Sequence, residues 1–255
     1  MQDRHNETII DQFTRQAVPF ATAPAIRNAE ALNRIVQLAG AGQQDTVLDV
    51  ACGPGLLVCA FARVVRQATG IDITPAMLDQ SRKLQNELGL QNVAWQQGDV
   101  YALPYPDGHF SVVASRFALH HLEEPLAVLK EMRRVCLPGG RVVVADSAPA
   151  EAKAAEFNRM EKLRDPSHVQ AFCVEELQGL FADAGLGTPQ VECYRLPGEL
   201  EDLLRRSFPY AGDAERIRAT FQASIQTDAL DMETSQRDGR IYYGFPVALL
   251  VATRC

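Results

Sequence analysis

A short apolar run, Thr46-Val47-Leu48-Asp49-Val50, passes through Ala51-Cys52-Gly53-Pro54-Gly55 directly into a second apolar segment that begins at Leu56. That junction constrains the fold more than any other part of the 255-residue chain. Two glycines two positions apart permit a sharp reversal and let a neighbour approach the backbone with no Cβ in between. The helix expected from Leu56 presents unpaired N–H groups in its first turn. A buried strand that ends in such a turn and feeds a helix is the opening unit of an α/β sheet, and it is where these sheets hold nucleotide-bearing small molecules. A three-glycine dinucleotide fingerprint would place its third glycine at Val58, so that signature is incomplete. Taken alone, the turn also fits a tight connection with no ligand.

The same alternation continues downstream. Ile26, Ala29, Leu32, Ile35, Val36 and Leu38 predict a helix over 24 to 38, stopped by Gly40 and Gly42. Strands are predicted at 46 to 50, 68 to 73, 92 to 96, 110 to 115 and 141 to 146, separated by helices at 56 to 66, 75 to 88 and 123 to 136. The last of these helices is stopped by Pro138-Gly139-Gly140. Short strands such as Val142-Val143-Val144, apolar throughout and separated by helices, mark a mostly parallel sheet covered on both faces. Right-handed crossovers put all the strand C-termini on one edge, and ligands bind there.

After residue 147 the alternation lapses. Helices are expected at 151 to 163 and 174 to 184, a strand at 191 to 196, helices at 199 to 208 and 213 to 230, and a final strand at 242 to 253. Pro246 suggests that this last strand begins at an edge or a bulge. The two late strands are read as completing the sheet, with a helical insertion over 197 to 240 before the last one, placed to act as a lid. The chain is expected to form one domain over 1–255: an N-terminal arm (1–23) over the active site, a cofactor-binding core (24–147) and acceptor-side segments (148–255).

Lys and Arg total 25 against 32 Asp and Glu, a net charge of -7 that does not suit a phosphate backbone, so no nucleic-acid partner is expected. Six cysteines without C-x-x-C or His spacing read as small hydrophobes in a reduced compartment, with no metal and no disulfide framework. The residues from Met1 to Glu7 do not look like a leader, and no apolar run has membrane length. The expected address is the cytoplasm.

Strand 68 to 73 ends in Asp72, about twenty residues beyond Gly53, where a carboxylate accepts both hydroxyls of a ribose. A helix-capping role for Asp72 is less needed, since Thr74 fits that position with Pro75 at the first helical residue. Asp99 in Gly98-Asp99-Val100 is placed to accept from an adenine amine, with Ile73, Met77 and Val100 around the ring. Core packing serves equally well as an account of Met77.

Together these segments resemble the class I S-adenosylmethionine-dependent methyltransferases, and within them the branch of the ubiquinone and menaquinone biosynthesis C-methyltransferases. The resemblance rests on Val47 to Gly55, on Gly70-Ile71-Asp72-Ile73-Thr74-Pro75-Ala76-Met77-Leu78, on Gln97-Gly98-Asp99-Val100 before Leu103-Pro104, on Phe110 to Leu122, and on Leu137-Pro138-Gly139-Gly140. It is strong over residues 10 to 147 and loose beyond. It implies a Rossmann-like α/β fold: a seven-stranded, mostly parallel sheet with an antiparallel last strand and helices on both faces. It implies S-adenosyl-L-methionine as cofactor. Asp49, Ala51, Gly53 and Gly55 would lie at its methionine part, Asp72 at the ribose, and Ile73, Met77, Asp99 and Val100 at the adenine. Ser115, Arg116 and Phe117 would lie near the sulfonium. Phe13, Gln16 and Phe20 become candidates to close over the site.

Displacement at an activated methyl needs positioning and exclusion of water, and a base only where the acceptor carries a proton. Adjacent histidines are not expected to share one face, so of His120 and His121 the second is placed in the pocket as a catalytic candidate. His168, in Arg164-Asp165-Pro166-Ser167-His168-Val169, is the other. A packing role for His121 and a plain Asp-Pro surface turn around His168 are the alternatives. His5 and His109 are read as surface residues. Arg116 suits a cofactor carboxylate, an anionic acceptor or a structural ion pair, and Arg205-Arg206 beside Phe208 suits an anionic substrate or plain solvent.

No Asn-Pro-Pro-Tyr type sequence follows strand four, which disfavours the amines of bases or glutamine. The expected partners are a small-molecule methyl acceptor and a second copy of the chain. Two further readings stay open: a nicotinamide-dependent oxidoreductase, against which the missing third glycine and the two late strands count, and a non-catalytic descendant that binds nucleotide without turnover.

Overall fold

The computed structural model describes residues 2–255; Met1, on which part of the reading of Met1 to Glu7 falls, lies outside the described residues. The N-terminal arm is one long helix, α1 (Gln2–Thr22), with Pro19 in its last turn. α2 (Ala29–Leu38) starts later than the apolar spacing suggested, because Asn28 caps it, its side chain accepting from the Ala31 amide at 2.9 Å. There follow β1 (Thr46–Val50), α3 (Leu56–Ala62), β2 (Gln67–Asp72), α4 (Pro75–Leu88), β3 (Val93–Gln97) and β4 (Phe110–Arg116). A single 3₁₀ turn, Leu119–His121, precedes α5 (Pro125–Val135) and β5 (Cys136–Ser147). The second half runs α6 (Glu151–Arg164), α7 (Val174–Asp183), β6 (Gln190–Glu199), α8 (Leu200–Arg206), α9 (Asp213–Thr227), β7 (Ser235–Arg237) and β8 (Arg240–Thr253).

The main path of the sheet is β3-β2-β1-β4-β5-β8-β6. The first five strands are parallel, and β8 is antiparallel to both β5 and β6. The short β7 makes a hairpin with the start of β8 and is an eighth strand beside the expected seven. Successive residues of β1 serve opposite faces, as strand geometry requires: Val47 packs with α2 and α3, Leu48 with α5 and α7. Both faces are thus covered, and a third cluster, built on Phe157 of α6 with Leu203, Ile217 and Phe221, packs the insertion against α6.

Of three local expectations, those for Pro138-Gly139-Gly140 and Thr74 needed revision and that for Pro246 held. Pro138-Gly139-Gly140 lies inside β5, which already pairs with β4 at Cys136 and resumes at Arg141 after a register shift. Pro246 lies opposite Arg195 in the β6 ladder, whereas β5 pairing extends only to Val247. The proline thus stands where β8 is still an edge on its β5 side, and its missing N–H breaks no ladder bond. Thr74 precedes α4 but its side chain caps nothing; Asp72 Oδ1 instead accepts from the Thr74 amide at 2.8 Å.

Candidate functional site

The strand order reverses between β1 and β4, and the C-terminal ends of these two strands open onto a cavity of about 910 Å³, mouth included. Ala51 and Phe117, the residues just beyond the two strands, both adopt left-handed backbone (φ 57° and 54°), a conformation non-glycine residues rarely hold and which clusters at functional sites. Gly53, at φ 52°, has open space where a Cβ would stand, and its amide donates to Asp72 Oδ2 at 2.8 Å. Asp72 thus receives one backbone amide on each carboxylate oxygen, which fixes the group while leaving lone pairs free. Burial raises its pKa, opposed by those two amides.

Asp49 and Arg116, an acidic and a basic side chain, stand in the same wall of this cavity. Asp49 Oδ1 is buried without a hydrogen-bond partner, and so are Arg116 Nε and Nη2. Nη1 of Arg116 donates to the Ile26 carbonyl at 3.2 Å, and the guanidinium lies 4.6 Å from the centre of the Phe117 ring. Burial pushes the Asp49 carboxyl well above the usual carboxylate range and pulls the Arg116 guanidinium down. Each group is buried with less compensation than a buried charge needs, as in a site that awaits a ligand of complementary charge.

Ile73, Met77 and Val100 form the apolar end of this cavity. Asp99 is there too, but its carboxylate is shared: Oδ2 accepts from Asn6 of α1 and Oδ1 from the Tyr101 amide, both at 3.0 Å. Two of the residues expected at the cofactor do not line this cavity. A Cβ on Gly55 would stand 2.4 Å from Trp95 and 2.7 Å from Ser81, so this glycine serves packing between α3, α4 and β3. Ser115 is buried and donates to the Val50 carbonyl at 2.9 Å, tying β4 to β1.

A second cavity of about 660 Å³ shares Phe13, Phe20, Ile26, Phe117 and His121 with the first. Its far wall comes from α6, α8 and β8: Glu161, Arg164, Leu203, Arg206, Tyr243 and Phe245. The α1 residues Phe13, Gln16 and Phe20 cover it, and Gln16 is fixed by donating to Asp165 Oδ2 at 2.9 Å. In this wall Arg164 meets Glu161 in two parallel bonds of 2.8 and 2.6 Å, whereas Arg206 donates to the Tyr243 hydroxyl at 3.2 Å.

Both adjacent histidines reach this region, contrary to the one-face expectation, because the tight 3₁₀ turn brings their rings to 4.2 Å between centroids. His121 meets Ser167 Oγ through Nδ1 at 3.1 Å and Phe13 edge to face at 5.0 Å. Burial, reinforced by His120, pushes its pKa down to about 3. His120 instead directs Nδ1 at the Asp146 carboxylate, an arrangement that residue-by-residue reading missed. The available signal was Asp146 itself, a carboxylate at the C-terminal end of a parallel strand. His168 lines neither cavity: it is fully buried behind the other two rings, with Nε2 on Asn158 Oδ1 at 2.7 Å. His5 is not a free surface residue, since its Nε2 docks on the His121 carbonyl at 2.7 Å; His109 is exposed and stacks on Tyr105.

All six cysteines are free thiols, no cluster of three or more metal-ligating side chains occurs among the described residues, and no helix among them is long and apolar enough to cross a membrane.

A family profile described as a methyltransferase domain matches residues 48–144. The uncharacterized methyltransferase YcgJ of Bacillus subtilis is 30% identical over 203 residues, 79% of each chain. Its crystal structure superposes with a TM-score of 0.80, at 26% identity over 88% of this chain and 98% of that one. The ubiquinone/menaquinone biosynthesis C-methyltransferase of Azotobacter vinelandii is 35% identical over 122 residues, 46% of this chain and 48% of its own length. With the strand order, the glycine turn and the paired acidic strand ends already in place, these likenesses place the chain in the class I S-adenosylmethionine-dependent methyltransferases.

Proposed function

We propose that the first cavity holds S-adenosylmethionine in a fixed orientation and that the second holds the small organic acceptor. The observation that carries this is the wall containing Asp49 Oδ1 and Arg116 Nε and Nη2, buried groups of opposite charge without partners. An amino-acid moiety bears an ammonium for the first and a carboxylate for the second, so one zwitterion satisfies both, as charge-assisted hydrogen bonding requires. Asp72, held rigid by the Gly53 and Thr74 amides, accepts from ribose hydroxyls, and Ile73, Met77 and Val100 with Asp99 receive the base. Bound there, S-adenosylmethionine supplies a methyl group already activated for displacement. The chain's own contribution is to hold the acceptor in line and to exclude water, which Phe13, Phe20, Ile26 and Phe117 do at the junction of the two cavities.

We further assign the chain to the branch of the ubiquinone/menaquinone biosynthesis C-methyltransferases for its cofactor half, on the 35% identity across those residues. The acceptor half has its own insertion and its own cavity wall, so the acceptor is argued from that wall. The free thiols support a reducing, cytoplasmic setting. Calorimetric titration tests the cofactor reading. S-adenosylhomocysteine is expected to bind and NAD to give no heat; the reverse would refute it.

A further inference from the structure

His120 is built as a base. Its Nδ1 faces Asp146 Oδ1, which sets the tautomer with the proton on Nδ1 and leaves a lone pair on Nε2. Nε2 makes no hydrogen bond among the described residues, and the ring lines the second cavity. Asp146 is in turn immobilised. Its Oδ2 accepts from the Leu119 and Ala118 amides at 2.8 and 3.2 Å, and its Oδ1 from the Ser147 amide at 2.7 Å. The carboxylate thus caps the very turn that carries His120, so base and orienting group move as one unit.

Methyl transfer to a thioether or to an amine already in its neutral form has no use for such a unit, since those nucleophiles present a lone pair without losing a proton first. A hydroxyl or an acidic carbon does need it. The rest of the wall is mainly aromatic and aliphatic (Phe13, Phe117, Tyr243, Phe245, Leu196, Leu203); its Glu161–Arg164 charges cancel, Asp165 accepts from Gln16 and Ser167, and Arg206 donates to the Tyr243 hydroxyl. Resting on the reading of the two cavities above, we propose that His120, oriented by Asp146, is the general base for an apolar hydroxyl acceptor of the phenol class, and that the chain is an O-methyltransferase. The acceptor O–H proton passes to His120 Nε2 as an oxygen lone pair forms the O–CH3 bond. The electrons of the S–CH3 bond remain on sulfur as a neutral thioether, and the imidazolium later releases its proton to solvent.

The neighbouring groups support this division of labour. Burial disfavours protonated His120, but Asp146 outweighs it, helped by Glu161 and opposed by Arg164, so its pKa is raised. His121, against Ser167 rather than a carboxylate, is held down to about 3 and stays neutral, and His168 is lowered further by burial and by both rings. Of the three histidines, His120 takes the proton.

The test compares full-length wild type, His120→Gln and Asp146→Asn with saturating S-adenosylmethionine and two probe acceptors, phenol and 4-nitrophenol, reading S-adenosylhomocysteine formed. Near pH 8, phenol keeps its proton, with a pKa of about 10 like tyrosine, while 4-nitrophenol ionises unaided. H120Q is expected to lose about 10²- to 10⁴-fold with phenol, the usual contribution of a positioned base, and less than about tenfold with 4-nitrophenol. Affinity for S-adenosylhomocysteine should stay within about threefold. D146N should move the rising limb of the kcat/KM–pH profile with phenol to lower pH, a shift that a merely structural role would not produce. Equal losses with both phenols, or an unmoved limb, overturn the base. No transfer to either phenol by a wild type that binds S-adenosylhomocysteine overturns the acceptor class, and failure to bind S-adenosylhomocysteine instead refutes the reading of the first cavity.

Discussion

Replacing Gly55 with alanine should damage the fold far more than the cofactor site. Two costs act together. Gly55 has φ 79°, where a residue with a Cβ is penalised by about 1–2 kcal/mol. The added methyl would also stand 2.4 Å from Trp95 Cη2 and 2.7 Å from the Ser81 Cβ, and overpacking of this kind costs about 1–3 kcal/mol. Ser81 is on α4, with its own Oγ bonded to the Leu78 carbonyl, and Trp95 is tied to Gln85 by a 2.7 Å hydrogen bond, so neither neighbour yields freely. The expected loss is about 3 kcal/mol, which in a domain of this size lowers Tm by about 6–12 °C. Trp95 is the chain's one tryptophan, so its fluorescence reports the disturbance at the point of contact. Gly53→Ala is the matched control. Its Cβ meets nothing, so only the smaller backbone penalty of about 1–2 kcal/mol applies, while a methyl enters the cavity wall that Gly53 lines. G53A should therefore weaken S-adenosylhomocysteine binding more than G55A does, and G55A should unfold at the lower temperature. A Tm for G55A within 2 °C of wild type, or the opposite order of the two variants, would refute the packing argument.

Asp49→Asn removes a poorly compensated buried charge, so it should leave the ligand-free protein as stable as wild type or more so, yet weaken S-adenosylhomocysteine by about ten- to a hundredfold in calorimetry, the worth of a charged hydrogen bond. Arg116→Gln should show the same loss of affinity. His121 titrates near 6.5 in the unfolded chain and only near 3 in the folded one, so its share of stability is complete above about pH 6.5 and drains away as pH falls toward 3. Thermal melts of His121→Asn should accordingly lose less Tm between pH 7 and 5 than wild type, and parallel losses would count against the assignment. Arg164→Met leaves Glu161 charged and buried without its partner and should cost about 3–5 kcal/mol, whereas pairing it with Glu161→Leu should restore most of that.

Much of the architecture was legible from local chemistry. The strand at Thr46–Val50, the helix at Pro75–Leu88 and its Gly89 cap follow from apolar runs, a proline at the first helical position and a glycine that takes φ 64°. Asp49, Asp72 and Asp99 were identifiable because a parallel sheet delivers its strand ends to one edge, so spacing along the chain is enough to gather them. The N-terminal helix was legible as well, since Ile9, Phe13, Ala17 and Phe20 recur at helical spacing, but that this stripe faces two cavities was not.

The sequence by itself therefore determined the sheet and the edge on which the first cavity opens, through signals carried by neighbouring residues. Only the tertiary structure decided the second cavity. It separated Gly53, which lines the cavity, from Gly55, which packs against Trp95 on a distant strand. It moved His168 behind its neighbours and paired His120 with Asp146, 26 positions away. Those outcomes depend on how a turn, a strand end and an insertion meet in space, and no local propensity or spacing encodes a contact of that range.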